Sequence, residues 1–379
     1  MKTVLIGAGY RGKGLLGLMK EIPFFELAAV ADPYLAKSGA LANQAGLFDG
    51  LAVYSDGPDD YLRMLKEQQP ELAVICSPWD CHIPQAEVCL KAGCNVALEI
   101  RGGKELGEYD PLKDLPGKVF PMENLIFRRD ILAVHEMARK GLFGELVFMK
   151  GGYRHDLRDE LIDAEGVLGG DAVADGAGHP RELWRGKAYM QRNGDIYPTH
   201  SIAPLCLIGD VHSLKQVTSV ASKAAGLSER LGDACPHVSL GDIVNTLART
   251  ADGTLISIIH DTTLPRPKSF GIEIQGTKGV WDETTHRIYV EGRSAYEQWE
   301  PDSEYIEEFL DPMWRAWGAD AERLDRHHGG MDYIMLKAIE EDLRGGYQYP
   351  VSLGDLALWT SITPLSCRSI AEGRTIDLP

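Results

Sequence analysis

No stretch of this 379-residue sequence approaches the ~20 consecutive apolar residues a helix needs to cross a bilayer, which excludes a helical membrane anchor. Basic charge is in short supply: 39 Lys and Arg stand against 56 Asp and Glu, a formal net charge of −17. Such a surface repels phosphate backbones and anionic lipid, so neither nucleic acid nor membrane is an expected partner. No apolar leader precedes the first structural segment, because Thr3-Val4-Leu5-Ile6 runs straight into a glycine-rich turn; a cytoplasmic protein is expected. No CxxC pair occurs among the seven cysteines, although Cys76, Cys81, Cys89 and Cys94 crowd into one region. Cys76 ends an apolar run and Cys89 lies in an apolar helical stretch, so reduced core thiols are expected rather than a metal centre. The His327-His328 pair has no third ligand in view, and no metal is expected there either. Internal repeats and low-complexity tracts are absent.

What is present is a core. Hydrophobic residues make up 44% of the chain, and its length suggests two domains. The first 100 residues alternate short apolar strands (Thr3–Ile6, Leu27–Ala31, Leu72–Cys76, Asn95–Glu99) with helical stretches (Arg11–Lys20, Ala36–Ala45, Asp59–Glu67, Ile83–Ala92). Buried strands between helices predict an α/β unit, a parallel sheet with helices on both faces. Residues 102–121 turn charged and are broken by Pro111 and Pro116-Gly117, which places the junction near 122. Domains of 1–122 and 123–379 are therefore expected, with the C-terminal helices packing back on the first. Beyond a helix over Asp130–Lys140, strand-like runs at Leu146–Tyr153, Leu214–Ala221, Ile243–Thr250, Thr254–His260, Gly271–Gln275 and Ile288–Val290 predict an α+β domain with a large, open, mostly antiparallel sheet. Asp252-Gly253 reads as a hairpin turn, Met331–Leu343 as a helix, and Ser352 as the cap of a last helix.

Gly7-Ala8-Gly9-Tyr10-Arg11-Gly12 follows a predicted strand, opens a predicted helix and precedes Asp32 by 20 residues from Gly12. That is the context in which G-x-G-x-x-G holds a dinucleotide in a Rossmann domain: close backbone approach to the pyrophosphate, and helix N–H groups aimed at it. Asp32 should accept from the ribose hydroxyls and repel a 2′-phosphate, favouring NAD over NADP. Ser77-Pro78-Trp79-Asp80-Cys81-His82 and Glu99 follow two further strands at the same sheet edge. Ser77, Trp79, His82 and Glu99 are therefore candidate cofactor residues. Trp79 has two readings, a plate against the cofactor or a lid on the helix below.

The glycine loop, the Ser-Pro-x-x-x-His segment and Ala92-Gly93-Cys94-Asn95-Val96-Ala97-Leu98-Glu99 resemble the Gfo/Idh/MocA superfamily of sugar oxidoreductases. Its dehydrogenase members carry Glu-Lys-Pro with a catalytic lysine; here Glu99 precedes Ile100-Arg101-Gly102. Further segments resemble the NAD-dependent glycosidases of glycoside hydrolase family 109: Met122-Glu123-Asn124, Gly151 to Arg158, Leu183-Trp184-Arg185, Tyr197-Pro198-Thr199-His200 and His328-Gly329-Gly330-Met331-Asp332. Ser201-Ile202-Ala203 stands where that family tends to have Gly-Leu-Gly. The resemblance implies a carbohydrate substrate, Asn124 at the cofactor, and a homo-oligomer built through the open sheet. It also implies hydrolysis by transient oxidation at C3, elimination, water addition and reduction. A plain NAD-dependent sugar or polyol dehydrogenase, and a non-catalytic sugar sensor, are the alternatives.

Tyr197 and His200 stand i, i+3, so one helical turn can aim both at one ligand, and both residue types can carry protons. They are the expected catalytic pair, with acid and base unassigned; the alternative is a helix start packed on the sheet. His155, Arg185, Trp184 and His328 are the expected substrate contacts. His155 could instead lie on the surface, and Arg185 and Trp184 could be structural. Asp156 could orient His155, but neighbours on a strand point to opposite faces.

Overall fold

The computed structural model describes residues 1–35, 46–162, 168, 169, 173, 174, 180, 181 and 184–378. Six parallel strands form the first sheet: β1 (Lys2–Ile6), β2 (Glu26–Ala31), β3 (Ala52–Tyr54), β4 (Leu72–Ile75), β5 (Asn95–Leu98) and β6 (Val119–Pro121), in the order β3-β2-β1-β4-β5-β6. Val4, Leu5, Leu72, Ala73, Ile75 and Val96 are wholly buried, as strands covered on both faces must be. Helices Tyr10–Lys20, Asp60–Gln68 and His82–Lys91 follow the expected order; the helix expected over residues 36–45 lies outside the described residues. The order reverses between β1 and β4, and a crevice opens there beyond the strands' carboxyl ends. Sequence reading did not anticipate β3 or β6. Each has three residues at a sheet edge, and β6 ends on Pro121, whose missing N–H is tolerated only there.

The second sheet has nine strands. They are β7 (Leu146–Arg154), β10 (Leu214–Ala221), β11 (Ile243–Thr250), β12 (Leu255–Asp261), β13 (Glu273–Gly276), β14 (Gly279–Asp282), β15 (Arg287–Val290), β16 (Glu300–Pro301) and β17 (Ile376–Asp377). Their order is β16-β15-β14-β13-β7-β12-β11-β10-β17; β8 (Val173–Ala174) and β9 (Pro180–Arg181) form a separate small pair. Among the described residues of this sheet, only the β7–β12 pairing is parallel. The Asp252-Gly253 turn joins β11 to β12, with Arg249 opposite Leu255. Met149, Gly151 and Tyr153 of β7 and Ile256, Ile258 and His260 of β12 alternate onto one buried face. Helix Thr199–Gly209 lies over that face so closely that a side chain at Gly151 would strike the Ser201 carbonyl at 2.6 Å. The opposite face leaves Val220, Leu247 and Leu255 exposed.

The last helix, Leu353–Glu372, carries a full capping box between Ser352 and Asp355. It reaches the first sheet's side of the molecule, where Gly103 N–H donates to Thr363 Oγ1 at 3.3 Å. Helix Pro312–Leu324 was not anticipated, despite the Asp311 cap and Pro312 at its first position. Among the described residues no helix is long and apolar enough to cross a membrane. All seven cysteines are free, with Cys89, Cys94 and Cys206 buried.

Candidate active site

The crevice is shaped by glycine. Gly7 has φ +91°, and a Cβ there would meet Ser77 N at 2.5 Å, so the β1 and β4 loops touch backbone to backbone. A Cβ at Gly12 would strike the Gly7 carbonyl at 2.0 Å. Gly9 caps helix Tyr10–Lys20 with nothing within 4 Å of where its side chain would be. Open space before a helix N-terminus suits a pyrophosphate. Asp32 is buried beyond β2; its Oδ2 accepts from Ala8 N–H at 2.8 Å and its Oδ1 from Tyr34 N–H at 2.9 Å. A buried carboxylate at this strand end is an acceptor of the kind that ribose hydroxyls need. The residues present thus fit NAD.

The other expected cofactor residues divide by role. Tyr10 is 79% exposed at the helix start. Ser77 Oγ donates to Gln85 at 2.5 Å, and buried His82 contacts the Ser77 carbonyl through Nε2 at 2.7 Å, bracing the loop. Burial pushes the His82 imidazole down to about 4, against the pull of that carbonyl, so it stays neutral. Arg11 does not simply face the crevice: its Nε donates to Glu99 at 2.7 Å and its two Nη groups to Asp332. Asn124 Nδ2 donates to the same carboxylate at 2.8 Å.

Across the crevice, at the carboxyl end of β7, lies a cluster of rings. Trp79 stacks on Tyr197, centroids 5.4 Å apart and planes 4° apart. Arg185 lies over the Tyr197 ring at 4.9 Å and the Trp79 ring at 5.6 Å. Tyr153 sits 5.0 Å from Tyr197 and 5.3 Å from His200, ring to ring, and Tyr197 and His200 meet edge to face at 5.1 Å. The i, i+3 spacing therefore does bring the pair together, with Tyr197 just ahead of helix Thr199–Gly209 and His200 in its first turn. Burial raises the Tyr197 hydroxyl well above its ordinary value despite the Arg185 charge, so this phenol holds its proton. Tyr153 is shifted the same way for the same reasons.

His200 Nδ1 donates to Glu123 Oε1 at 2.7 Å; Glu123 is wholly buried, and Oε1 also accepts from Leu125 N–H at 3.1 Å. A carboxylate on Nδ1 leaves Nε2 as the imidazole's basic nitrogen. Asp195 is buried two residues before Tyr197, accepting from its N–H at 3.3 Å; burial pushes this carboxyl up to about 7. His155 packs edge-on to Tyr153 at 6.3 Å. Asp156 pairs with Arg158 at 2.7 Å, and no bond joins it to His155. His328 Nδ1 donates to Asp332 at 2.7 Å. Trp184 begins helix Trp184–Gln191, but its side chain lies outside the described residues. Sequence reasoning passed over Tyr153, Glu123 and Asp332 as site residues. All three lie in segments quoted for the family resemblance, which was the one signal that could have found them.

The pattern for the oxidoreductase family with an NAD-binding Rossmann fold matches residues 1–100, and that for the glycosyl hydrolase 109 C-terminal domain matches residues 127–379. A glycosyl hydrolase family 109 protein of Stenotrophomonas maltophilia is 33% identical over 408 residues, covering 100% of this chain and 88% of its own. An alpha-N-acetylgalactosaminidase of Tannerella forsythia is 34% identical over 349 residues, 86% of this chain and 74% of its own. Among solved structures, levoglucosan dehydrogenase in complex with NADH and levoglucosan superposes with a TM-score of 0.70 at 18% identity, covering 100% of this chain and 99% of that one. The fold and crevice thus define an NAD-dependent enzyme of the Gfo/Idh/MocA class. Within that class the chain belongs to glycosyl hydrolase family 109, whose members are NAD-dependent glycosidases.

Proposed function

We propose that this chain hydrolyses a glycoside with His200, oriented by buried Glu123, as base and Tyr197 as proton donor. The observation that carries the reading is the 2.7 Å His200–Glu123 bond beside two protonated tyrosines, across from a crevice fit for NAD. When bound, NAD supplies reversible oxidation of the sugar's C3 alcohol, leaving a ketone there during the cycle and an alcohol at its end. The His200 Nε2 lone pair is placed to take a proton from the substrate. A C3 ketone makes the C2 proton acidic enough for a neutral imidazole to remove. Loss of that proton expels the aglycone from C1, and water adding across C1 and C2 completes hydrolysis. The Tyr197 hydroxyl, kept protonated by burial, is placed to donate rather than accept. Arg185 and His155 flank this point as sugar contacts, and His328 lines the cavity beside it. Residues 1–122 serve chiefly the nucleotide and 123–379 chiefly the sugar. A reducing cytoplasm suits seven free thiols. Pairing of chains through the exposed face of the nine-stranded sheet would cover Val220, Leu247 and Leu255.

The test is incubation with aryl glycosides in deuterated water, beginning with α-N-acetylgalactosaminides because a relative is named for that activity. Aglycone release with deuterium at C2 and no lasting NADH absorbance is the expected outcome. Stoichiometric NADH with the glycosidic bond intact would replace the reading with a dehydrogenase, and neither signal with NAD still bound would leave a sensor.

A further inference from the structure

The His-Gly-Gly-Met-Asp segment is not explained by proton transfer at the sugar. Gly330 has φ +90°, and a Cβ there would come within 2.9 Å of both the Trp314 ring and the Ala321 side chain. This tight turn delivers Asp332 into the first turn of helix Met331–Leu343, where it is 2% exposed and its N–H donates to Asp325 at 2.9 Å. Its carboxylate is crowded with donors. Oδ1 accepts from Asn124 Nδ2 at 2.8 Å and Arg11 Nη2 at 2.9 Å; Oδ2 accepts from His328 Nδ1 at 2.7 Å and from Arg11 Nη1. Burial raises this carboxyl's affinity for a proton, but Arg11 and His328 outweigh it, and the net direction is far below the usual carboxylate range.

One buried anion from late in the chain therefore grips two residues of the cofactor side and one of the substrate side. Arg11 belongs to the glycine loop, and Asn124 stands just beyond the first sheet. His328 lines a cavity of about 490 Å³ that also reaches Phe270 and Lys268. Phe270 packs edge-on to His200 at 6.3 Å, so this cavity adjoins the reactive histidine.

We propose that Asp332 is a positioning residue for cofactor retention, fixing Arg11 and Asn124 against the nucleotide while holding His328 at the cavity wall. The proposal rests on the NAD-dependent reading above. Chemistry that oxidises and then reduces the same sugar gains nothing from cofactor exchange, so a loop held in its bound shape is an advantage. The carboxylate spends no side-chain mobility on binding, because it is already immobilised by four donors.

Asp332→Asn keeps the shape and removes the charge. The readouts are the NAD content of purified protein, the NAD dissociation constant and release rate, KM for NAD against kcat, and Tm. The dissociation constant is expected to rise about ten-fold or more, with the larger kinetic change in KM for NAD. Arg11→Gln should weaken binding similarly, and the double variant should be little worse than the weaker single, because both act through one contact. If Asp332→Asn does not fold, Asn124→Ser removes one grip from the other side and must also raise the dissociation constant. A folded Asp332→Asn or Asn124→Ser protein within about two-fold of wild-type NAD affinity overturns the proposal, as do additive effects of Arg11→Gln and Asp332→Asn. Wild-type protein that takes up no NAD overturns instead the functional reading on which it rests.

Discussion

The two walls of the active site are built differently. The cofactor wall is braced mostly by backbone and by near neighbours: Asp32 on Ala8 and Tyr34, His82 on Ser77, Gly7 against Ser77. The substrate wall is assembled from side chains far apart in sequence: His200 with Glu123, Tyr197 with Trp79 and Tyr153, and Arg185 over two of those rings. A wall made of backbone fixes a shape for a ligand whose phosphates any tight turn can meet. A wall made of side chains fixes proton positions, and those matter only once a sugar is present. Damage to the first should cost cofactor and fold, and damage to the second should cost turnover.

Variants can break that contrast. The largest effect is expected from His200→Gln, a loss of about 10²–10⁴ in kcat, the range general-base catalysis supplies. NAD affinity by equilibrium dialysis should stay near wild type; losing both together would place His200 in the cofactor wall. Glu123→Gln should lower kcat about 10–100-fold while leaving NAD affinity near wild type, since the imidazole loses the anion that orients it. An unchanged kcat in a folded Glu123→Gln protein would make Glu123 a packing residue. Gly7→Ala should act on the other wall. The positive φ and the 2.5 Å clash with Ser77 N predict lost NAD binding and about 1–3 kcal/mol of stability, read by denaturant titration.

Smaller effects separate the walls by pH. His82 titrates at about 4 in the fold and near 6.5 when unfolded, so the unfolded state binds more protons between these values. Its contribution is complete above about pH 6.5 and is lost as pH falls toward 4. His82→Gln should flatten that stretch of the Tm–pH curve. Asp195 runs the other way. Its carboxyl holds a proton up to about 7 in the fold but releases it near 3.8 when unfolded, so it penalises the fold increasingly as pH rises between them. Asp195→Asn should therefore raise Tm more at pH 8 than at pH 5; an equal shift at both would mean the carboxyl is ionised throughout.

The contrast also explains how much of the molecule is legible in its sequence. The glycine loop, Asp32 and the four central strands of the first sheet, β1, β2, β4 and β5, were legible because each rests on a local rule: a turn needing glycine, a strand needing a continuous apolar run. Tyr197 and His200 were legible as a pair because helical spacing joins them. Arg11 was read as part of the loop, and its turn toward Asp332 was not visible, since 321 residues separate them. The same holds for Glu123, whose partner is 77 residues away. Asp156 shows a local rule at work: adjacency to His155 allowed a pair, the opposite facing of strand neighbours spoke against it, and the structure gives its carboxylate to Arg158.

By itself, then, the sequence determined the longer periodic elements of the first sheet, the open turn at Gly7–Gly12, the acid beyond the second strand and the residue types able to carry protons. Tertiary structure decided which carboxylate meets which histidine, that the tyrosines are buried and protonated, and that one late aspartate grips both walls. The physical reason is range. Backbone turns and hydrophobic periods are set by neighbours, whereas a buried ion pair exists only when folding brings its members within about 3 Å and removes the water between them.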